Sequence, residues 1–232
     1  MRLEAGGMGE AIGHSLPLAI GVALSPVPII AVVVLLTSSR ARSLGPVFVL
    51  GWLLGLVVVG AIVLAVVGPS GAGSSGQRTR WVSWVLIVLG ALLLVAAVRH
   101  VRGRTRRGEE APLPTWMGAL DRLKPAAALG GGVVLGGVRP KNLLLAVGGA
   151  AAIAQTGIAG GQQAIAYAVF AGIATIGVGT PVVIYFAMGE RSAGLLGRLK
   201  GWMRRNNAVI LAAVLLVIGG TLIGDGIGGL PS

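Results

Sequence analysis

The sequence predicts an all-α polytopic membrane protein with six transmembrane helices, arranged as two inverted three-helix repeats whose helices 1 and 4 are broken by proline. Three observations predict it. Hydrophobic residues make up 55% of the 232-residue chain and charged residues only 11%, whereas soluble domains carry charges at roughly a quarter of their positions. Six apolar segments each approach the ~20 residues that cross a hydrocarbon core. The first and fourth segments contain proline near their centres.

The first repeat, residues 1–98, is predicted to hold three membrane helices after a short polar lead. Its first apolar segment is too long for a signal-peptide core and contains the string Ser25-Pro26-Val27-Pro28. A tight basic loop precedes the second segment, and a Gly/Ser/Pro turn at 68–76 precedes the third. The three segments run from about Ala11 to Thr37, Leu44 to Val67 and Trp81 to Val98.

Residues 99–125 form a basic linker, the longest polar stretch of the chain. Within it, Thr115–Lys124 places apolar residues at helical spacing on one face, which is typical of a helix lying in the membrane interface. A solvated linker is the alternative. A second interfacial helix is predicted over Gly189–Asn207, where the same pattern of leucines and cations recurs.

The second repeat, residues 126–232, is predicted to repeat the plan of the first. Its segments run from about Ala126 to Ala154, Ala164 to Met188 and Ala208 to Ile227. In both halves a proline-broken helix is followed by a glycine-rich one. Because each half crosses the membrane three times, the halves run in opposite senses, which is the inverted-repeat plan of many secondary transporters.

Charge predicts the orientation and the compartment. Fourteen of the nineteen Lys and Arg residues fall in the loops of one face and three on the other. The positive-inside rule places the fourteen in the cytoplasm and both termini outside a multi-pass plasma-membrane protein. The net charge of +12 then reflects loops beside anionic membrane lipids. No nucleic-acid partner is predicted, because no basic stretch is interleaved with stacking aromatics.

The centre of the fourth segment holds the chain's most unusual string, Arg139-Pro140-Lys141-Asn142. A cation at the centre of a bilayer helix costs about 2.5–3.5 kcal/mol on insertion scales. Two cations beside a helix-breaking proline therefore predict a substrate site near the midplane, opposite the first proline motif. The predicted substrate-binding residues are Ser25, Pro26, Pro28, Arg139, Pro140, Lys141 and Asn142.

These residue types favour an anionic substrate. Arg139 offers a guanidinium fork for phosphate, sulfate or carboxylate, and Lys141 a compact charge. The half-helix beginning after Pro140 adds free N–H groups, and Asn142 is placed to orient the bound group. The alternatives stay open: the prolines only kink packed helices, and the cations pair with carbonyls or with the chain's few acids.

The sequence offers little support for proton coupling, metal binding, catalysis or nucleotide binding. His14 is a weaker candidate for proton coupling, and so is Asp225. No catalytic residue, metal site or cofactor is predicted, because the chain has two histidines, no cysteine and no clustered acids. No nucleotide-binding loop is present, so ATP hydrolysis is not expected and the protein is predicted not to be an enzyme.

These motifs resemble a known superfamily. Six segments, Ser25-Pro26-Val27-Pro28 in the first and a Pro140-Lys141 pair in the fourth are similar to the lysine-exporter (LysE) superfamily. The basic central loop and the Arg139-Pro140-Lys141-Asn142 string most resemble its Sap/GAP family, the sulfolipid- and glycopeptidolipid-addressing proteins of actinobacteria. The superfamily often has Asn-Pro-Lys in helix four, and this chain has Arg139 at the Asn position.

The resemblance implies an exporter, and the family implies movement of cell-envelope glycolipids. The extra cation at Arg139 suits an anionic lipid or lipid-linked substrate better than an amino acid. Two alternatives remain: a non-transporting scaffold for envelope-lipid assembly, and an exporter of a small amino-acid-like solute. A homodimer is also left open, because three Gly-x-x-x-Gly motifs begin at Gly51, Gly132 and Gly220 and such motifs allow close helix crossings.

Overall fold

The computed structural model describes residues 2–71, 87–88, 90–92, 94–95, 98 and 123–228, and the elements in this part of the chain are all helical. A π-helical turn spans Val134–Val138 and a 3₁₀ turn spans Gly189–Arg191. Within the described ranges, seven α-helices have defined bounds: α1 (Arg2–Ala23), α2 (Pro26–Leu35), α3 (Ala41–Gly71), α4 (Pro125–Val133), α5 (Pro140–Ala154), α6 (Gly160–Met188) and α7 (Ser192–Gly228).

The predicted break in the first segment is present. Helix α1 begins at Arg2, before the apolar segment itself, and ends at Ala23. Ser25 is extended, with φ −76° and ψ 107°, and Pro26 opens α2. The axes of α1 and α2 differ by 50°. Proline is favoured at the first helical position, because its fixed φ suits a helix and its missing N–H is not needed there.

The fourth segment is broken as well. Helix α4 passes into the π-turn, and Arg139 then leaves the helical region with a ψ of 125°. Pro140 is the first residue of α5. A residue that precedes proline is pushed towards extended conformations, which explains why the helix ends at Arg139.

The two breaks lie within one packed bundle. Helix α3 packs along α4 and the π-turn, while α1 packs along α5 and α6. Glycine permits both crossings: a Cβ at Gly51 would collide with the Leu129 carbonyl, and one at Gly177 with the Ala23 carbonyl. The core between these helices holds Trp52 of α3, Leu145 of α5 and Phe170 of α6.

Two of the three Gly-x-x-x-Gly motifs face each other inside the chain. Gly51 and Gly55 of α3 approach the α4 backbone, and Gly132 and Gly136 approach the α3 backbone in return. A Cβ at Gly220 would meet nothing within 4 Å among the described residues. The first two motifs therefore serve packing within the chain.

One predicted boundary is wrong. The sequence predicted an interfacial helix over Gly189–Asn207 followed by a separate sixth segment, but α7 continues from Ser192 to Gly228. No proline interrupts this stretch, so the change from basic to apolar composition at Asn206 and Asn207 does not end the helix. The start of the predicted turn at 68–76 is also helical, since α3 continues to Gly71.

Length and composition mark Ala41–Val67 and Gly160–Met188 as helices able to cross a membrane. The bent pair α1–α2 makes a third if it counts as one span. The six-span count and the outside position of the termini stay predictions. The predicted interfacial helix at Thr115–Lys124 and most of the third segment lie outside the described residues.

Candidate functional site

The two helix breaks are joined by side-chain hydrogen bonds. Lys141 Nζ donates to the Gly21 carbonyl at 3.0 Å and to Ser25 Oγ at 2.9 Å. Ser25 Oγ in turn donates to Asn142 Oδ1 at 2.7 Å. Residues more than a hundred positions apart in sequence thus form one polar cluster, as the sequence predicted for Ser25, Lys141 and Asn142.

Proline chemistry at the first break explains why Gly21 accepts this bond. Pro26 has no N–H, so the Val22 carbonyl lacks its usual donor four residues on. The Ser25 N–H bonds to the Val22 carbonyl instead, at 3.1 Å. That shift leaves the Gly21 carbonyl without a helical donor. A buried carbonyl needs a partner, and the Lys141 ammonium supplies it.

At the second break a carbonyl is also left without a helical donor, and a side chain of the same segment supplies one. In the π-turn the Arg139 N–H bonds to the Val134 carbonyl at 2.9 Å. The next carbonyl in that register, Leu135, would need an N–H from Pro140, which has none. Asn142 Nδ2 donates to the Leu135 carbonyl at 2.8 Å. Asn142 is therefore a cap for its own break as well as a member of the cluster.

The cluster is closed to its surroundings. Asn142 is 0% exposed and Ser25 4% exposed. Two of the three ammonium donors of Lys141 are used. The pairing of a cation with a carbonyl, which the sequence left open, is realised for Lys141. Nothing in the described residues places an acid against it.

Arg139 stands apart from the cluster. It is half-buried at the N-terminus of α5, and it makes no hydrogen bond or ion pair with any described residue. The two cations that the sequence placed together thus differ in their bonding: Lys141 is tied to the first break, whereas the Arg139 guanidinium uses none of its donors on the described residues. A guanidinium fork matches the geometry of phosphate, sulfate or carboxylate oxygens.

The prolines of the predicted site act through the backbone. Pro26 and Pro28 are buried in the first turn of α2, and Pro140 is exposed at the start of α5. None offers an N–H donor. Pro26 and Pro140 lead to the free carbonyls that Lys141 and Asn142 satisfy, whereas Pro28 lies in the first turn of α2, where an N–H has no helical partner. The sequence allowed the cations to pair with carbonyls, but it did not identify Gly21 or Leu135, since a backbone acceptor has no residue-type signature.

The weaker candidates lie away from the cluster. His14 is exposed on α1, and no described contact joins it to Lys141 or Ser25. Asp225 falls within α7, but its side chain lies outside the described part. The described residues contain no group of three His, Cys, Asp or Glu side chains suited to a metal ion.

A polar contact that the sequence did not predict links the two long apolar helices. Tyr167 of α6 donates its hydroxyl to the Leu56 carbonyl of α3 at 2.9 Å. The tyrosine ring lies where a side chain at Gly60 would be and stacks on Phe170 with ring centroids 5.1 Å apart. This contact holds α3 against α6.

Apolar helices with a buried, cation-containing cluster at two proline breaks define a helical membrane protein with a polar centre. The chain belongs to the Sap, sulfolipid-1-addressing protein, family, whose profile matches residues 16–228. No curated protein and no solved structure gives a match. The family description and the apolar helices together make this a membrane protein associated with lipids.

Proposed function

We propose that the protein translocates an anionic lipid, with Arg139 binding the head group beside the joined helix breaks. The observation that carries the proposal is the contrast between the two cations. Lys141 is occupied by Gly21 and Ser25, whereas Arg139 is half-buried with no partner among the described residues. A guanidinium held at the depth of a helix break is suited to phosphate, sulfate or carboxylate.

Translocation requires the hydrogen bonds of the cluster to open, and an anion that competes for Lys141 could open them. An anion at Arg139 lies two residues from Lys141, whose ammonium has one donor unused. Charge-assisted hydrogen bonds to an anion are stronger than those to a carbonyl or a hydroxyl. A bound head group therefore competes with Gly21 and Ser25 for Lys141, and it loosens α1 from α5 when it succeeds. A site that changes its partners in this way couples loading to helix movement.

The proposal includes the inverted-repeat plan of the lysine-exporter superfamily with six spans. Packing supports it, because each break is backed by the second helix of the other half. Gly177 of α6 approaches Ala23 at the first break, and the Trp52 carbonyl of α3 approaches Gly136 at the second. An exchange of this kind is expected where two halves are related by a pseudo-two-fold axis. The basic loops are then expected to face the cytoplasm, and the resemblance to the superfamily implies export as the direction of transport.

A non-transporting scaffold for envelope-lipid assembly is the second candidate. The observation that favours it is the closed cluster, in which Asn142 and Ser25 are buried and hydrogen-bonded to each other. A permanent tie of this kind would hold the bundle in one conformation. The two candidate functions differ in whether the hydrogen bonds between the helix breaks open.

A flip assay separates them. The full chain is reconstituted in vesicles containing fluorescent phosphatidylglycerol, and the fraction that a membrane-impermeant quencher reaches is followed over time. We expect faster flipping than in protein-free vesicles, lost in Arg139→Gln and kept in Arg198→Gln, which removes an exposed cation of α7. A rate equal to that of protein-free vesicles would favour the scaffold. Equal rates for phosphatidylglycerol and a zwitterionic lipid would refute head-group recognition by Arg139.

A further inference from the structure

A groove with a volume of about 360 Å³ lies between α1 and α7. Its walls are apolar, and three of its side chains are exposed: Leu16 and Ile20 of α1, at 38% and 44%, and Leu24 directly after α1, at 46%. The volume falls within the range of small-molecule sites. The residues that define it here are Leu16, Ile20, Gly21, Leu24, Ala213 and Val214.

The groove is continuous with the polar cluster through one residue. Gly21 lines the groove, and its carbonyl oxygen accepts the hydrogen bond from Lys141 Nζ at 3.0 Å. Glycine has no side chain to separate the two environments. An apolar channel and a cationic centre therefore meet across the backbone of a single residue, at the point where α1 is about to break.

From this continuity we infer that the groove holds one hydrocarbon chain of the same lipid whose anionic head group lies at Arg139. The inference rests on the proposed function and names the substrate class more narrowly, as an anionic lipid with at least one long hydrocarbon chain. Charge complementarity selects the head, and the apolar walls select the tail. From Leu16 to Leu24 the groove follows α1 for about 12 Å, so a chain can lie along the helix while the head remains near the break.

The groove is expected to bind a lipid chain through packing contacts and not through exclusion of water. Lipid tails are as apolar as leucine, so a chain that moves from the bilayer to the groove gains no hydrophobic free energy. What it gains is a set of dispersion contacts with fixed side chains, each small and together significant. We therefore expect a chain-dependent change in affinity of about tenfold rather than several orders of magnitude.

The groove also has a mechanistic consequence. A tail that lies between α1 and α7 packs against Gly21, whose carbonyl accepts the hydrogen bond from Lys141. Lipid entry from the side, between α1 and α7, places head and tail at their sites without passage of the chain through the closed cluster.

Native mass spectrometry of the full chain tests the inference. Two probes share one head group: dioleoyl phosphatidylglycerol and dihexanoyl phosphatidylglycerol. Ala213→Trp fills the groove from α7, and Ile20→Trp fills it from α1. The matched control is Val183→Trp, at an apolar position of α6 that is 67% exposed. Melting temperature is recorded for each variant, and Ile20→Trp decides the result if Ala213→Trp fails to fold.

We expect the groove variants to lose affinity for the dioleoyl probe about tenfold while they bind the dihexanoyl probe as the wild type does. The control should bind both unchanged. Wild-type retention of the dioleoyl probe by a folded groove variant would overturn the inference, and so would a change of oligomeric state caused by the groove variants alone, which would identify a second copy as the occupant. Arg139→Gln distinguishes the two proposals: if it leaves dihexanoyl binding unchanged, the proposed head-group site fails, whatever the groove variants show.

Discussion

Both helix breaks are made by a proline that follows an extended residue, but the two breaks carry different chemical groups. At the first, Pro26 follows an extended Ser25 and the helix axis bends by 50°. At the second, Pro140 follows an extended Arg139 after a π-turn. The first break contributes a carbonyl and a hydroxyl to the cluster, whereas the second contributes an ammonium and an amide. The Arg139 guanidinium also lies at the second break, but it is not hydrogen-bonded to the cluster.

The difference shows how one break completes the other. Each proline removes an N–H and so leaves one carbonyl without a helical donor, Gly21 at the first break and Leu135 at the second. Both donors come from the second break, since Lys141 reaches Gly21 and Asn142 reaches Leu135. The first break cannot satisfy its own backbone in this conformation. Both breaks are therefore made by proline, while the cations lie only at the second break.

The largest loss of stability is expected from substitution of the glycines that let a neighbouring helix pack against each break. Gly177→Ala would drive a methyl group into the Ala23 carbonyl, and Gly136→Ala would drive one into the Trp52 carbonyl. Overpacking against backbone costs about 3 kcal/mol. We expect a similar fall in thermal stability for both variants, measured in detergent. Gly172→Ala is the control, because a Cβ there meets nothing within 4 Å among the described residues. A large loss of stability in only one of the two variants would argue that a neighbouring helix does not support both breaks in the same way.

The second effect concerns the tie between the breaks. Lys141→Met keeps the length of the side chain but leaves the Gly21 carbonyl without its donor. An unsatisfied buried acceptor costs about 2 kcal/mol, and we expect the melting temperature to fall accordingly. Lys124→Met makes the same change at an exposed lysine with no capping hydrogen bond and should have little effect. Equal stability of the two variants would mean that the tie does not stabilise the bundle.

The third effect tests the proline explanation itself. Asn142→Ala should cost about 1 kcal/mol through loss of the Leu135 bond. In a Pro140→Ala background the backbone regains an N–H at position 140, so the same substitution should cost less. The coupling in this double-mutant cycle is expected to be about 0.5–1 kcal/mol. Strictly additive losses would show that the missing proline N–H is not what Asn142 replaces.

Sequence reasoning located the breaks but not the bonds between them. Proline and midspan charge have residue-type signatures, so the sequence grouped Ser25, Lys141 and Asn142, and the structure joins them by hydrogen bonds. Their role in substrate binding stays a prediction. The Gly21 and Leu135 carbonyls carry no such signature, and their release depends on hydrogen-bond shifts that only a backbone shows. For the same reason the sequence grouped Arg139 with Lys141, whereas the structure gives them different surroundings.

Helix boundaries show a similar limit. The sequence placed the interior of α3 and α6 well because a run of about 20 apolar residues is a strong signal. It divided α7 in two because composition changes near Asn206, but backbone continuity depends on breakers, and that stretch contains no proline. The apolar groove between α1 and α7 could not be predicted, since it arises from the relative position of helices distant in sequence.

The smallest effect on stability, and the most direct test of the account, is expected at Arg139. Arg139→Gln and Lys141→Gln are compared for melting temperature in detergent and for binding of dihexanoyl phosphatidylglycerol per folded molecule. The account predicts that Arg139→Gln changes stability by no more than about 0.5 kcal/mol and weakens binding at least tenfold, because a charge-assisted bond contributes about 1.5–3 kcal/mol. Lys141→Gln should lower stability instead. An Arg139→Gln protein that loses stability and binds the anion like the wild type would contradict the claim that Arg139 is the free cation of the site.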